Sequence, residues 1–204
     1  MKKIKNFFYY EWKKLLLVIL AACLVVVTVK QCAAKVQTDL GVLYVNNINP
    51  GDITPLAENI KGLSAIKDTD SDGEVTVKTR TILISSDDAI NMEQQVPQQI
   101  QFEIISGENM LFIVNEDTLK TYAAELSFAD IGDVTNKLGI PEEKCRTYSD
   151  GKVYAVSLED NSLLSSLGIN TENMFIAQRN YLPKDKNSPL NINAKTALEY
   201  IIKE

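Results

Sequence analysis

Histidine is missing from the 204-residue chain and cysteine occurs only 3 times. Without histidine there is no side chain that titrates near neutrality unperturbed, no base for a His-containing triad, and none of the commonest transition-metal ligand. Enzyme readings lose most of their chemical ground, and a non-catalytic protein is the expectation. Of the cysteines, Cys23 lies inside an apolar run, Cys32 follows it, and Cys145 stands alone in the body. That leaves no disulfide pair within the globular part and no CxxC metal or redox motif. No internal repeat occurs, and the one biased stretch, "EQQVPQQIQ", is too short for low complexity.

What is present is a normal globular composition, 45% hydrophobic and 24% charged, sufficient for one domain with a real core. Its charge is unevenly placed. Lys2, Lys3, Lys5, Lys13, Lys14 and Lys30 against Glu11 put residues 1–30 at +5, so a total of −6 leaves residues 31–204 at −11. A surface that acidic repels nucleic-acid phosphates and anionic lipid headgroups, and attracts cations.

The N-terminus reads as a membrane anchor. Residues 15–29, "LLLVILAACLVVVTV", carry no charge and are bracketed by Lys13-Lys14 and Lys30. Fifteen helical residues reach about 22 Å, short of the hydrocarbon core of about 30 Å, and the flanks make up the rest. Phe7, Phe8, Tyr9, Tyr10 and Trp12 suit a headgroup boundary, and the lysines can snorkel. The lysines before the span place residues 1–14 in the cytoplasm by the positive-inside rule, with residues 30–38 as linker and 39–204 as an extracytoplasmic domain. A cleaved signal peptide fits "VTVKQCAAK" poorly. Leu20-Ala21-Ala22-Cys23 also matches a lipobox, which would anchor the chain through a lipid on Cys23, although apolar residues continue past it.

In the body, "DLGVLYVNN" predicts a buried strand. Thr54-Pro55, with Leu56, Ile60, Leu63 and Ile66 at helical spacing, predicts a helix over 54–67. Alternation from Val75 predicts a strand to Ser85. Asp87-Asp88 can cap a helical segment, Pro97 predicts a break near 94–97, and a helix should follow from Pro97 to Ile105. "NMLFIVN" reads as a strand, and Leu119, Tyr122 and Ala123 mark one side of the next helix. "FADIGDVTNKLGI" reads as a surface segment with a short helix. "KVYAVSLE" and "MFIAQRNY" read as strands with a short helix ending at Gly168 between them, and 193–204 as a terminal helix capped by Asn193. This alternation predicts a layered α/β domain with a mostly parallel central sheet, preceded by one transmembrane helix.

"NMLFIVNEDTLKTYAAELSFADIGDV", "SDGKVYAVSLED" and "GVLYVNN" together resemble segments of extracellular solute-binding proteins of the type 2 periplasmic-binding-like kind. The whole is similar to small membrane-anchored proteins of Firmicute type. The resemblance implies a fold like one lobe of that family. The family closes two lobes over a ligand and needs a longer chain, and its proline after "VYAV" is here Ser157, so no ligand-contacting residue is carried over.

The sharpest local motif is "DTDSDGEV". Asp68, Asp70, Asp72, Gly73, Glu74 and Val75 fill the first, third, fifth, sixth, seventh and eighth places of an EF-hand loop. The twelfth place, normally a bidentate glutamate, is Thr79, which points to a weak, structural Ca²⁺ site. Asp and Gly also build acidic turns without any metal, so both readings stand. Tyr148 and Tyr154 flank a turn and can form an aromatic patch or half-buried packing. Arg179, at a strand end, can meet an anion or a surface carboxylate. Cys145 reads as an inert thiol, and residues 160–162 as helix caps. Two functions remain open: a non-catalytic binding or sensing module with an unknown small ligand, and a scaffold that binds another protein of the cell envelope.

Overall fold

The computed structural model describes residues 16–22, 38–84, 89–125, 127–148 and 150–203. The chain divides into two compact units, residues 1–36 and 37–204. In the first, residues 16–22 form helix α1, with Leu16, Leu17, Val18, Ile19 and Leu20 each more than half exposed. Residue 15 and residues 23–29 of the expected anchor, its cytoplasmic flank, and Cys23 of the lipobox lie outside the described residues. No helix among the described residues is long and apolar enough to cross a membrane.

The second unit is an α/β layer structure. Its strands are β1 (Leu40–Asn46), β2 (Val77–Leu83), β3 (Asn109–Asn115), β4 (Cys145–Thr147), β5 (Val153–Ser157) and β6 (Met174–Gln178). Its helices are α2 (Thr54–Lys61), α3 (Ala89–Ser106), α4 (Glu116–Ala124), α5 (Gly132–Leu138), α6 (Ser162–Ser166) and α7 (Pro189–Lys203). The strands form one sheet in the order β2-β1-β3-β6-β5-β4.

β1 and β3 are apolar on both faces, and the period of two divides their side chains between two cores. Val42, Tyr44, Leu111 and Ile113 join Leu56 and Ile60 of α2, Val134 of α5, Leu164 of α6 and Leu198 and Ile201 of α7. Leu43, Val45, Phe112 and Val114 join Val96 and Ile100 of α3 and Leu119 and Tyr122 of α4 on the other side. Phe112 and Phe128 close that second core with ring centroids 5.5 Å apart.

The sheet is mixed, which corrects the expectation of a mostly parallel one. Only β1–β2 and β1–β3 pair in parallel, whereas β3–β6, β5–β6 and β4–β5 are antiparallel. Alternating strands and helices implied crossovers, but β4 and β5 are joined by a hairpin, and β6, last in sequence, inserts between β3 and β5 with reversed direction. Pairing partners are set by tertiary packing, which the order of elements does not encode.

Three further elements differ from their sequence reading. Pro97 sits inside one continuous α3 rather than at a break. Val96, Ile100 and Glu103 are buried on both sides of it, so packing of that face outweighs the roughly 3 kcal/mol that an interior proline costs. The Pro97 carbonyl also accepts a hydrogen bond from Tyr122 Oη at 3.1 Å. The segment around Phe128, Ile131 and Val134 is buried rather than superficial. Asn193 lies inside α7, which starts at Pro189, and is fully buried.

Gly41 marks the one irregularity between β1 and β3, where the register shifts between Gly41 and Val42. A Cβ there would lie 2.3 Å from the Glu108 carbonyl oxygen and 2.9 Å from Asn109 Cα. Only the missing side chain lets the two backbones approach.

Candidate functional site

The acidic stretch Asp68–Glu74 joins α2's trailing turns to β2 and is built around the Asp68 carboxylate. Its Oδ1 accepts from the N–H groups of Asp70 (3.1 Å) and Ser71 (2.6 Å), and its Oδ2 from that of Gly73 (2.8 Å). Ser71 and Gly73 take positive φ, 63° and 91°, to bring those amides round. Asp72 Oδ1 accepts from Glu74 N–H at 2.8 Å, and Glu74 pairs with Lys61 Nζ at 2.9 Å. The Asp72 carboxylate is thus engaged by the loop's own backbone and that of Glu74 by Lys61.

The carboxylates that do converge are Asp39, Asp68 and Asp70, each offering an oxygen within 4.8 Å of the others. Asp39 is fully buried at the start of β1 and was absent from the motif, being 29 positions before it in the chain. It accepts from Thr69 N–H (2.5 Å), Thr69 Oγ1 (2.6 Å) and Thr76 N–H (2.7 Å), so it ties the loop to the first strand. The signal that could have found it is a charged residue directly against a fully apolar strand, in "TDLGV".

Electrostatics divide the pair at the loop's centre. The Gly73 amide, followed by those of Ser71 and Asp70, holds the Asp68 carboxyl below its usual range. Asp70 is pushed up, first by loss of hydration, then by the Asp68 carboxyl and the charges of Asp72 and Asp39. A cation would relieve that repulsion, and hard oxygen ligands suit Ca²⁺. Asp39, Asp68 and Asp70 could hold it, with waters completing a shell of six to eight oxygens. Most lone pairs of Asp39 and Asp68 already accept backbone or hydroxyl hydrogens, so these residues fit a weak site and equally a self-satisfied turn.

The carboxyl ends of β1 and β3 form the switch point of the sheet, since β1 connects to β2 on one side and pairs with β3 on the other. Its polar residues serve the fold. Buried Asn46 accepts from Asn47 N–H at 2.8 Å and donates to Tyr44 Oη at 3.3 Å, and Tyr44 Oη donates to the Asn170 carbonyl at 2.9 Å. Asn115 caps α4 by accepting from Thr118 N–H at 3.0 Å.

The remaining sequence candidates are structural as placed. Arg179 is half-buried and donates from Nη1 to the Ile104 carbonyl near the end of α3 at 3.3 Å. Burial lowers its pKa, and among the described residues it forms no ion pair. Tyr148 and Tyr154 do meet, edge-on at 5.7 Å, and Tyr154 Oη donates to Asp150 Oδ2 at 2.5 Å. Burial pushes the Cys145 thiol up, away from the thiolate that reacts. Asn161 caps α6, as expected of residues 160–162, by accepting from Leu164 N–H at 2.9 Å.

No sequence motif marks the outer edge of β2, which pairs with β1 alone among the described strands. Thr76 C=O accepts from Leu40 N–H at 3.3 Å, and Ile84 N–H donates to Asn46 C=O at 2.8 Å, so even-numbered residues bond inward. By alternation, the N–H and C=O groups of Val77, Thr79, Thr81 and Leu83 point away from the sheet. Beside this edge a trench of about 310 Å³ runs between Arg80 and the flank of α3, lined by Gln95, Gln98, Gln99, Phe102 and Glu103. Gln95, Gln98, Phe102 and Ile105 share one stripe of the helix at spacings of three, four and three. Phe102 is 66% and Ile105 74% exposed, a large apolar exposure for a helix that otherwise buries its opposite face. Comparison with protein-family models, with curated proteins and with solved structures finds no match to this chain.

Proposed function

We propose that the protein is a membrane-anchored, non-catalytic interaction domain whose extracytoplasmic body binds another protein of the cell envelope. The observation that carries this reading is the β2 edge, unpaired among the described residues, beside the Phe102 and Ile105 stripe. Open strand edges invite pairing with another chain, and natural proteins cover or blunt those they do not use. The tether is supported by the basic and aromatic flank of residues 1–14 and by the five exposed apolar side chains of α1, a surface that lipid suits better than water. The lipid bilayer would be met through residues 15–29.

A photo-crosslinking residue at position 102, in intact cells that make the chain, tests the reading against the same residue at Ser166 on α6. One defined adduct at position 102 and none at 166 is the expected result. Equal adducts at both positions, or none at either, would remove the reading. Loss of the body to protease added outside spheroplasts tests the topology, and full protection would reverse it.

A second reading, a reduced solute-binding or sensing domain, is favoured by the switch point between β1 and β3, where open α/β sheets take ligands. Capture between two lobes has no support from the second unit, whose described residues form a single sheet. A thermal-shift screen with small solutes tests it. A shift abolished by Asn46→Ala would favour it over the interaction domain.

A further inference from the structure

Resting on the interaction reading, the geometry points to one chemical class of partner: we propose that β2 takes up an acidic peptide in extended form as an added strand. Val77, Thr79, Thr81 and Leu83 supply the outward backbone groups, a row of four donors and four acceptors for strand addition. Lys78 and Arg80 lie two residues apart on the face toward α3, as the pairing of Arg80 with Glu103 fixes. Side chains at alternate positions of a strand stand about 7 Å apart. Carboxylates at positions i and i+2 of an added strand therefore match Lys78 and Arg80 in register, and the trench beside Phe102 receives the next side chain on that face, an apolar one.

The charges define both partner and register. Residues 31–204 carry −11, yet the described part of this edge presents two cations, and its one carboxylate, Glu103, is buried and engaged by Arg80 and by Asn109 Nδ2 at 2.7 Å. Only one guanidinium nitrogen of Arg80 is used on Glu103, and the side chain is 62% exposed, which leaves donors for a second carboxylate. Before the strand stands Asp72, which repels further acid and so sets Lys78 as the limit of the acidic pair at that end. A second copy of this chain is disfavoured as occupant, because pairing β2 with β2 opposes Lys78 and Arg80 to their own kind.

The test uses the 204-residue chain in detergent micelles and two fluorescent peptides, Gly-Val-Thr-Glu-Thr-Glu-Thr-Val-Gly, whose glutamates and valines share one face, and its counterpart with lysine at both glutamates. By fluorescence anisotropy the acidic peptide binds at least about tenfold more tightly, about 1.4 kcal/mol, and Lys78→Glu removes that preference. Thr79→Pro deletes an outward N–H without touching the β1 ladder, as edge strands tolerate, and abolishes binding while the unfolding midpoint stays near wild type. Should that variant fail to fold, Thr81→Pro serves the same purpose, and Lys78→Glu is independent of both. Equal affinity for both peptides, no binding of the acidic one, or unchanged binding by a folded proline variant overturns the proposal. So does concentration-dependent dimerisation that Thr79→Pro abolishes, which would make a second copy the occupant. If position 102 crosslinks to a partner in cells but the acidic peptide does not bind, the interaction reading survives and this inference alone falls.

Discussion

Replacing Asn193 with alanine tests how the C-terminal helix holds the start of the fold. The side chain is fully buried, accepts from Lys67 N–H at 2.9 Å, and donates to the carbonyls of Lys67 (2.7 Å) and Asp39 (3.1 Å). Alanine leaves three backbone groups without partners. A buried unsatisfied group costs about 1–3 kcal/mol, but Lys67 is exposed and water can reach its groups, so the full penalty falls on the Asp39 carbonyl and a part on each of the others. The expected loss is about 3 kcal/mol, or about 6–12 °C in midpoint for a body of this size. Asn193→Asp should be worse, since it removes both donors and sets a carboxylate against two carbonyl oxygens. Urea unfolding followed by far-ultraviolet circular dichroism measures both variants. An alanine variant within about 1 kcal/mol of wild type, or an aspartate variant as stable as wild type, would refute the assignment of this residue as a tie between α7 and two loops.

Other expectations are more local. Gly41→Ala should cost about 3 kcal/mol or more, because the new methyl meets backbone rather than a yielding side chain; a soluble variant with wild-type midpoint would contradict the close approach. The Tyr154 hydroxyl is pushed up to about 12, first by its hydrogen bond to Asp150 and then by burial. Its folded pKa lies above the unfolded value near 10, so its contribution to stability is complete below pH of about 10 and is lost as pH rises toward 12. Asp150→Asn should bring tyrosinate absorbance in at lower pH, and an unchanged titration would sink the pairing. Calorimetry with millimolar Ca²⁺ on the wild-type chain and on Asp70→Ala should show weak binding that the variant loses, and that fades as acid protonates Asp70, whose pKa is raised. Featureless titrations of both would leave only the self-satisfied turn.

The local elements of this fold were largely legible because their signals are local. Apolar runs gave β1 and β3, Thr54-Pro55 gave the start of α2, and turn residues gave the limits of β5 and α6. β4 passed unseen, since "CRT" has neither length nor alternation and is a strand only by pairing with β5. Pro97 misled because its cost is set against buried neighbours 3 and 6 residues away, a balance that exists only once α3 rests on the sheet. The acidic loop was legible from its spacing, which holds Asp68, Asp70, Asp72 and Glu74, whereas Asp39, the carboxylate that converges with Asp68 and Asp70, arrives through the β1–β2 pairing. The β2 edge was invisible for a related reason. "VKTRTIL" reads the same whether a neighbour lies on one side or both, and only the strand order says which.

The insertion of β6 between β3 and β5 also constrains how the body can be made. Until residues 174–178 are available, β2-β1-β3 and β4-β5 are two separate fragments, and the apolar ladder of β3 stands open along one side. α7, which packs against β1, β3 and β6, comes later still. A chain that emerges from its N-terminal end during synthesis therefore exposes a sticky half-sheet until β6 arrives. Closure of the sheet and of its core therefore waits on β6 and α7, so a variant cut before Met174 should leave the β3 ladder open and aggregate.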